Sequence, residues 1–374
     1  MGDRKPTNKE KTLKEIQFNI YKFNSRPRPT DSKRIIIISN FSEFGCESLG
    51  LLYSIPEILK QYSGAYFVVV GWYGREYLYR HLVDEYWEVK EEYQWLREYS
   101  YAFHHNSNNL KILEKKLMSY GQVYQSRNFG NQCLNNTCRS CKNVWNDINY
   151  NKYCPKCNSD DLQRSLFSDT KTYKETALKV PKPSESVMQL ADKFVKNKRT
   201  VGIFARGRKC YGRNLPPKFY KKLIKTLRYM DYDVIWLGEK QSVIPCPVKD
   251  VIDFSRMEES KNLELLLAIV SKLCFTIQFW TASTRFSSMT ETPWILFESP
   301  DQICGRGQEG IRIALTTDDN KKKIVLAHYL NVVNDLDLAI ETVKRSIFEI
   351  NNNNWETIVG MVDNKEIIQG MLKK

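Results

Sequence analysis

The sequence predicts an α/β chain of two Rossmann-like halves with a small cysteine ribbon inserted, and three observations carry that prediction. Residues 199–308 alternate short apolar runs, polar loops and helical patterns, the signature of βαβ units. Residues 34–71 begin in the same way, with an apolar run, a glycine loop, a helix and a second apolar run ending in Gly71. Between the halves lie two Cys-x2-Cys pairs, Cys138/Cys141 and Cys154/Cys157, with twelve residues between them.

The later half is the more regular. Thr200–Ala205 reads as a buried strand, and Arg206-Gly207-Arg208-Lys209 and Gly212-Arg213-Asn214-Leu215-Pro216-Pro217 follow it. Residues 219–227 place apolar side chains three and four apart, which predicts a helix; Tyr232–Leu237 is the next strand, stopped by Gly238. Such a loop suits an anion. Glycine lets the backbone approach a ligand, the helix N-terminus carries partial positive charge, and arginine grips phosphate with two bonds. The plainer reading is a solvated basic loop.

The pattern continues with a strand over 248–254, a helix over 261–272 and a strand over 274–279. The hydroxyl-rich loop Thr281-Ala282-Ser283-Thr284-Arg285 comes next, then a short helix, the strand 293–297, and Glu298-Ser299-Pro300-Asp301-Gln302. Ligands of open α/β sheets bind beyond the carboxyl ends of the strands, where each of these loops begins.

Taken in order, residues 1–32 read as a polar arm with one helical turn around 13–21, and 33–125 as the first Rossmann-like domain. Residues 126–165 are the ribbon, 166–198 a proline-bearing linker and helix, 199–335 the second domain, and 336–374 terminal helices expected to pack back on the first domain. The loop after the first strand holds Glu43, Gly45, Cys46 and Glu47. A carboxylate there suits removal of a proton from a hydroxyl, with Glu47 placed first and Glu43 second; both equally fit solvated loop carboxylates. Residues 72–103 are dense in Trp and Tyr, which suits either an aromatic core or a surface that stacks sugars or bases.

The chain has ten cysteines, five of them between Cys133 and Cys157. Clustering at this spacing points to a tetrahedral zinc site of Cys138, Cys141, Cys154 and Cys157 rather than to disulfides. Four thiolates leave no open position, so such a zinc is structural; the ribbon serves either as a clamp or as a grip on nucleic acid or a partner.

The net charge of +14 over 374 residues favours phosphate-bearing ligands, nucleic acid or an anionic surface. No apolar run reaches the ~18 residues that would span a bilayer, and the charged N-terminus lacks a signal-like apolar stretch, so a cytoplasmic protein is expected.

Residues 213–219 with 234–238, and 281–302, resemble the donor half of the heptosyltransferase-like glycosyltransferases of the GT-B fold. The Arg206 loop is similar to the arginine loop of GT-B fucosyltransferases. The resemblance covers 199–310 well and 33–60 weakly. It implies two Rossmann-like domains facing across a cleft and a nucleotide-sugar donor whose sugar passes to an acceptor hydroxyl. The acceptor is a surface glycan or lipid-linked precursor; the charge, ribbon and aromatics point instead to a nucleic-acid base. On this basis Arg206, Arg208, Arg213, Lys240, Thr281, Ser283 and Thr284 are phosphate contacts, and Glu298 or Asp301 accepts from a ribose or sugar hydroxyl. The family has an acidic residue and a histidine around the hydroxyl loop; this chain has Trp280 and Arg285, and Arg285 joins the donor set. The family's Gly-Asp pair is here Gly45-Cys46-Glu47. With no DxD-type metal motif, arginines are expected to neutralise the leaving diphosphate. A rival reading is a non-catalytic zinc-ribbon nucleic-acid-binding protein on the same scaffold.

Overall fold

A computed structural model describes residues 14–40, 52–93, 108–125, 135–138, 140–141, 144–146, 156–159, 162–165, 181–207, 214–240, 242–279, 284–290, 292–298, 325–329 and 336–352. The chain divides into two compact units, one of residues 1–170 with 179–181 and one of 171–178 with 182–374.

The first unit holds a five-stranded sheet in the order β1-β4-β3-β2-β5, formed by Phe18–Lys22 (β1), Ile35–Ser39 (β2), Tyr66–Gly71 (β3), Glu85–Val89 (β4) and Gln122–Gln125 (β5). The pairs among β2 to β5 are parallel, and β1 runs antiparallel to β4. All five residues of β2 and all six of β3 are buried, as expected of parallel strands covered on both faces. Ile35, Ile37, Tyr66, Val68 and Val70 pack on one face with Leu113 and Leu117 of the helix Asn108–Leu117. The other described helix of this unit, Leu52–Gln61 (α1), buries Leu52, Ile55 and Ile58, and Asn108–Leu117 is α2.

One expectation is corrected here. Residues 18–22, expected in a loose arm with a helical turn, form the edge strand β1. Arg26 fastens the segment that follows, donating to the carbonyls of Gly64 and Ala65 at 2.6 and 2.9 Å. In the described part of the aromatic stretch, 72–93, the core alternative holds: Trp72, Tyr77, Tyr79, Tyr86 and Trp87 are all buried. It also carries a buried carboxylate, Glu88, which accepts from Asn19 Nδ2, Tyr21 OH and the Gly74 amide at 3.0, 3.2 and 2.8 Å. Those bonds compensate the cost of burying a charge and sew β1 to the sheet.

A separate antiparallel sheet within 135–165 has the order β7-β6-β8, from Asn135–Cys138 (β6), Val144–Asn146 (β7) and Leu162–Ser165 (β8).

The second unit is built on a six-stranded parallel sheet in the order β11-β10-β9-β12-β13-β14. The strands are Thr200–Phe204 (β9), Asp233–Leu237 (β10), Ile252–Asp253 (β11), Phe275–Phe279 (β12), Trp294–Glu298 (β13) and Val325–Tyr329 (β14). Its helices are Glu185–Ala191 (α3), Pro217–Tyr229 (α4), Leu263–Ser271 (α5), Thr284–Thr290 (α6) and Leu336–Asn351 (α7). Alternation along β9 sends Val201 and Ile203 to one face and Phe204 to the other. The first face is covered by Phe219, Leu223 and Leu227 of α4 and by Ile340, Val343 and Ile347 of α7. The second is covered by α3 and by α5, whose residues Leu265–Val270 are all buried. Each large apolar side chain buried in these layers contributes about 1.5–3 kcal/mol.

The helix starts are legible chemistry. Pro217 opens α4 with its φ already helical, and Asn262 caps α5 by accepting from the Leu265 amide at 3.0 Å. Of the terminal helices expected to return to the first domain, α7 packs into the second unit's own core, held also by the Lys222–Asp337 ion pair. The segment 353–374 lies outside the described residues.

Candidate functional site

Counted along the chain within the second sheet, the strand order is 3-2-1-4-5-6, the dinucleotide-binding arrangement, and it reverses between β9 and β12. The crevice of such a sheet opens at that reversal. There Gln278 of β12 lies opposite Phe204 of β9, and β9 runs directly into Ala205-Arg206-Gly207.

Arg206 is only 6% exposed and bridges Val243 in antiparallel fashion. The Gly207 amide donates to the Ser242 carbonyl at 2.8 Å, and the Ile244 amide to the Ala205 carbonyl at 3.1 Å. The loop after β10 therefore returns as a short ribbon beside the end of β9. Glycine is required at 207, since a Cβ there would lie 2.6 Å from the Ile244 nitrogen and the Val243 carbonyl carbon. Gly238 turns the chain into that loop at φ +123, a conformation other residues rarely adopt.

Three further groups staple the loop. Trp236 Nε1 donates to the Ile244 carbonyl at 2.8 Å. Arg256 donates from Nη1 to the Lys240 carbonyl and from Nη2 to the Val243 carbonyl, both at 3.1 Å. Asp253 Oδ2 accepts from the Cys246 amide at 2.9 Å and stands 4.0 Å from Arg256 Nε. Burial pushes the Cys246 thiol up.

Between β12 and α6 lies a buried polar network. Thr276 Oγ1 and Ser287 Oγ are 2.7 Å apart, and Gln278 Nε2 lies 3.4 Å from Ser287 Oγ. Gln278 Oε1 is buried with no hydrogen-bond partner among the described residues.

The donor-side candidates fall as follows. Arg206 sits at the reversal, and Lys240 lies exposed in the neighbouring loop with its carbonyl taken by Arg256. Thr284 and Arg285 are the first two residues of α6, and Glu298 is the last of β13, opposite Tyr329. Arg208, Arg213, Thr281, Ser283 and Asp301 lie outside the described residues, as do Glu43 and Glu47. Arg256 and Gln278 escaped the sequence reading. Arg256 acts on backbone carbonyls 13 and 16 residues away, for which no spacing rule exists; Gln278 sits in a strand whose apolar neighbours hide it.

On the cysteine side, Cys138 ends β6 and pairs with Leu162 of β8. Ser140, inside the first pair, approaches Ser159, two residues past the second, with hydroxyls 2.9 Å apart. Cys141 is half-buried and Cys157 exposed; Cys154 lies outside the described residues. No group of three or more candidate metal ligands occurs among the described residues. No described helix is long and apolar enough to cross a membrane.

Among solved structures, the chain is similar to glycosyltransferases, and its mixed α/β sheets resemble theirs. One is the ADP-heptose LPS heptosyltransferase II of E. coli, 9% identical, covering 84% of this chain and 98% of that one at a TM-score of 0.49. Another is the glycosyl transferase family 9 protein of Veillonella parvula DSM 2008, 11% identical, covering 71% and 80% at a TM-score of 0.43. The wall teichoic acid polymerase TagF is 10% identical, covering 92% and 88% at a TM-score of 0.34. No protein-family model and no curated sequence matches the chain.

Proposed function

We propose that the chain is a glycosyltransferase whose second unit holds the diphosphate of a nucleotide-sugar at the β9/β12 reversal. The observation that supports this most is Arg206, buried at that reversal and fixed by a backbone ladder on both sides. A guanidinium placed in advance stabilises charge that develops on a leaving group without reorganising. Arg208 and Arg213, on the same β9–α4 connection, add charge, and Lys240, Thr281, Ser283, Thr284 and Arg285 complete the phosphate side. Glu298 or Asp301 accepts from a ribose or sugar hydroxyl.

In the reaction, the acceptor oxygen bonds to the anomeric carbon as the bond from that carbon to the diphosphate oxygen breaks. The nucleoside diphosphate departs. In an inverting transfer the acceptor proton passes to Glu47, or to Glu43; a retaining transfer needs neither. Arginines carry the leaving-group charge in this scheme, without a divalent ion. The acceptor is a glycan or lipid-linked hydroxyl.

The ribbon cysteines form a structural zinc site in this proposal. The donor set is four soft thiolates, and the contact of Ser140, beside Cys141, with Ser159, two residues past Cys157, supports this reading. Zinc would be held by Cys138, Cys141, Cys154 and Cys157, cross-linking the turns and leaving catalysis to the sheets.

Incubation with a panel of UDP-, GDP-, ADP- and CDP-linked sugars tests the enzymatic reading. Release of nucleoside diphosphate from one of them, lost in Arg206→Gln, is expected. No release from any, with tight salt-sensitive binding of nucleic acid, would replace it with the non-catalytic ribbon reading.

A further inference from the structure

We infer that Arg256 is a positioning residue for the diphosphate site, acting through the β10 loop on Arg206; the inference rests on the donor reading proposed above. Its side chain reaches two carbonyls of the loop that follows β10. The Nη1 and Nη2 groups donate to the carbonyls of Lys240 and Val243, both at 3.1 Å. Val243 is the residue that bridges Arg206, and its neighbours Ser242 and Ile244 supply the two ladder bonds to Gly207 and Ala205. The Arg256 guanidinium is thus one link from the backbone of Arg206.

Asp253 holds the guanidinium from behind. Its Oδ2 is 4.0 Å from Arg256 Nε and also accepts the Cys246 amide, so it ties the Cys246 end of the loop to β11 while Arg256 holds the Lys240 end. Ser255 donates to the other oxygen, Oδ1. A planar, forked cation is needed: two carbonyls three residues apart accept from two Nη groups of fixed separation, while Nε faces a carboxylate. Lysine offers one ammonium and satisfies one carbonyl at a time.

The consequence is specific. Without Arg256, the Lys240 and Val243 carbonyls lose their donors, the loop loosens, and the ladder that aims Arg206 loosens with it. Substrate affinity falls because Arg206 is misplaced, although Arg256 touches no substrate.

Two measurements on the full chain test this. Amide hydrogen exchange at 205–207 and 242–244 is compared between wild type and Arg256→Gln. Binding of the nucleotide-sugar that wild type hydrolyses is then measured for Arg256→Gln, Arg256→Lys, Arg206→Gln and the double variant. Arg256→Gln should accelerate exchange in both segments and weaken binding about tenfold, the scale of hydrogen bonds to a charged group. Arg256→Lys should recover part of that loss. In the double variant the Arg256 change should add less than twofold, because its target is already gone. Unchanged exchange overturns the inference while leaving the donor site standing. So does accelerated exchange with unchanged binding, or full additivity in the double variant. If wild type binds no nucleotide-sugar, the donor reading itself falls and takes the inference with it.

Discussion

The amide of Gly207 donates to the carbonyl of Ser242 at 2.8 Å, so the end of β9 and the loop after β10 are one backbone ladder with Arg206 between its two bonds. A side chain at 207 has nowhere to go, because its Cβ would meet backbone atoms at 2.6 Å. Gly207→Ala should cost about 1–3 kcal/mol, the range for overpacking, and weaken donor binding as the ladder parts. Chemical denaturation and donor titration check both; a variant with wild-type stability would show the ladder to be slack.

Arg206 is buried, so its replacement must be read with care for folding. Arg206→Lys keeps the charge but loses the fork, and should reduce donor affinity at least tenfold while changing stability by no more than about 1 kcal/mol. Arg208→Ala and Arg213→Ala should each weaken binding less. Equal losses from all three would mean that charge alone, rather than the placement of Arg206, drives binding.

The side-chain carbonyl of Gln278 is a buried acceptor without a partner among the described residues. Replacing it with the similarly sized apolar side chain in Gln278→Met removes the orphan, while Ser287 keeps Thr276. Stability should rise by about 1 kcal/mol, since an unsatisfied buried polar atom costs roughly 1–3 kcal/mol. A fall of that size would show that the amide is well satisfied where it stands.

Much of the second unit was legible because its periods are clean. The apolar face of α4, the buried run of β9 and the stop at Gly238 all follow from local pattern and appear as expected. β1 was not legible: three of its five residues are exposed and two half-buried, and what fixes them is pairing with β4 and the distant carboxylate Glu88. Nor could composition separate a ligand-stacking aromatic from a core one in 72–93, since Trp72 and Trp87 are buried by strands remote in sequence. At the site, the basic loop could be read from residue types, but the staple from Arg256 is side chain to backbone and leaves no periodic trace.

Glu88 gives the first unit its own test. Glu88→Ala leaves Asn19, Tyr21 and the Gly74 amide without their acceptor, which should cost about 2–4 kcal/mol and release β1 first. Amide exchange at 18–22 should speed up well before that of β2 and β3. Simultaneous loss of all strands would mean that β1 is integral to the core rather than sewn to it.

The thiols separate by environment. Burial raises the pKa of Cys246 and Cys274 above the ordinary thiol value, so at pH 8 less of each is thiolate than in the unfolded chain. Both should alkylate slowly until the protein is denatured. Metal analysis should find one zinc per chain, lost in the Cys141→Ser/Cys157→Ser variant, with the second sheet's exchange protection intact. A metal-free protein with Cys138, Cys141, Cys154 and Cys157 all freely alkylated would remove the zinc proposal.

The most direct measurement is equilibrium titration of the purified chain with nucleoside diphosphates and their sugar conjugates, wild type beside Arg206→Gln. Wild type should bind one nucleotide class saturably, and the variant should bind it at least tenfold more weakly. Binding that is absent, or identical in the two proteins, would contradict the claim that the β9/β12 reversal clamps a diphosphate.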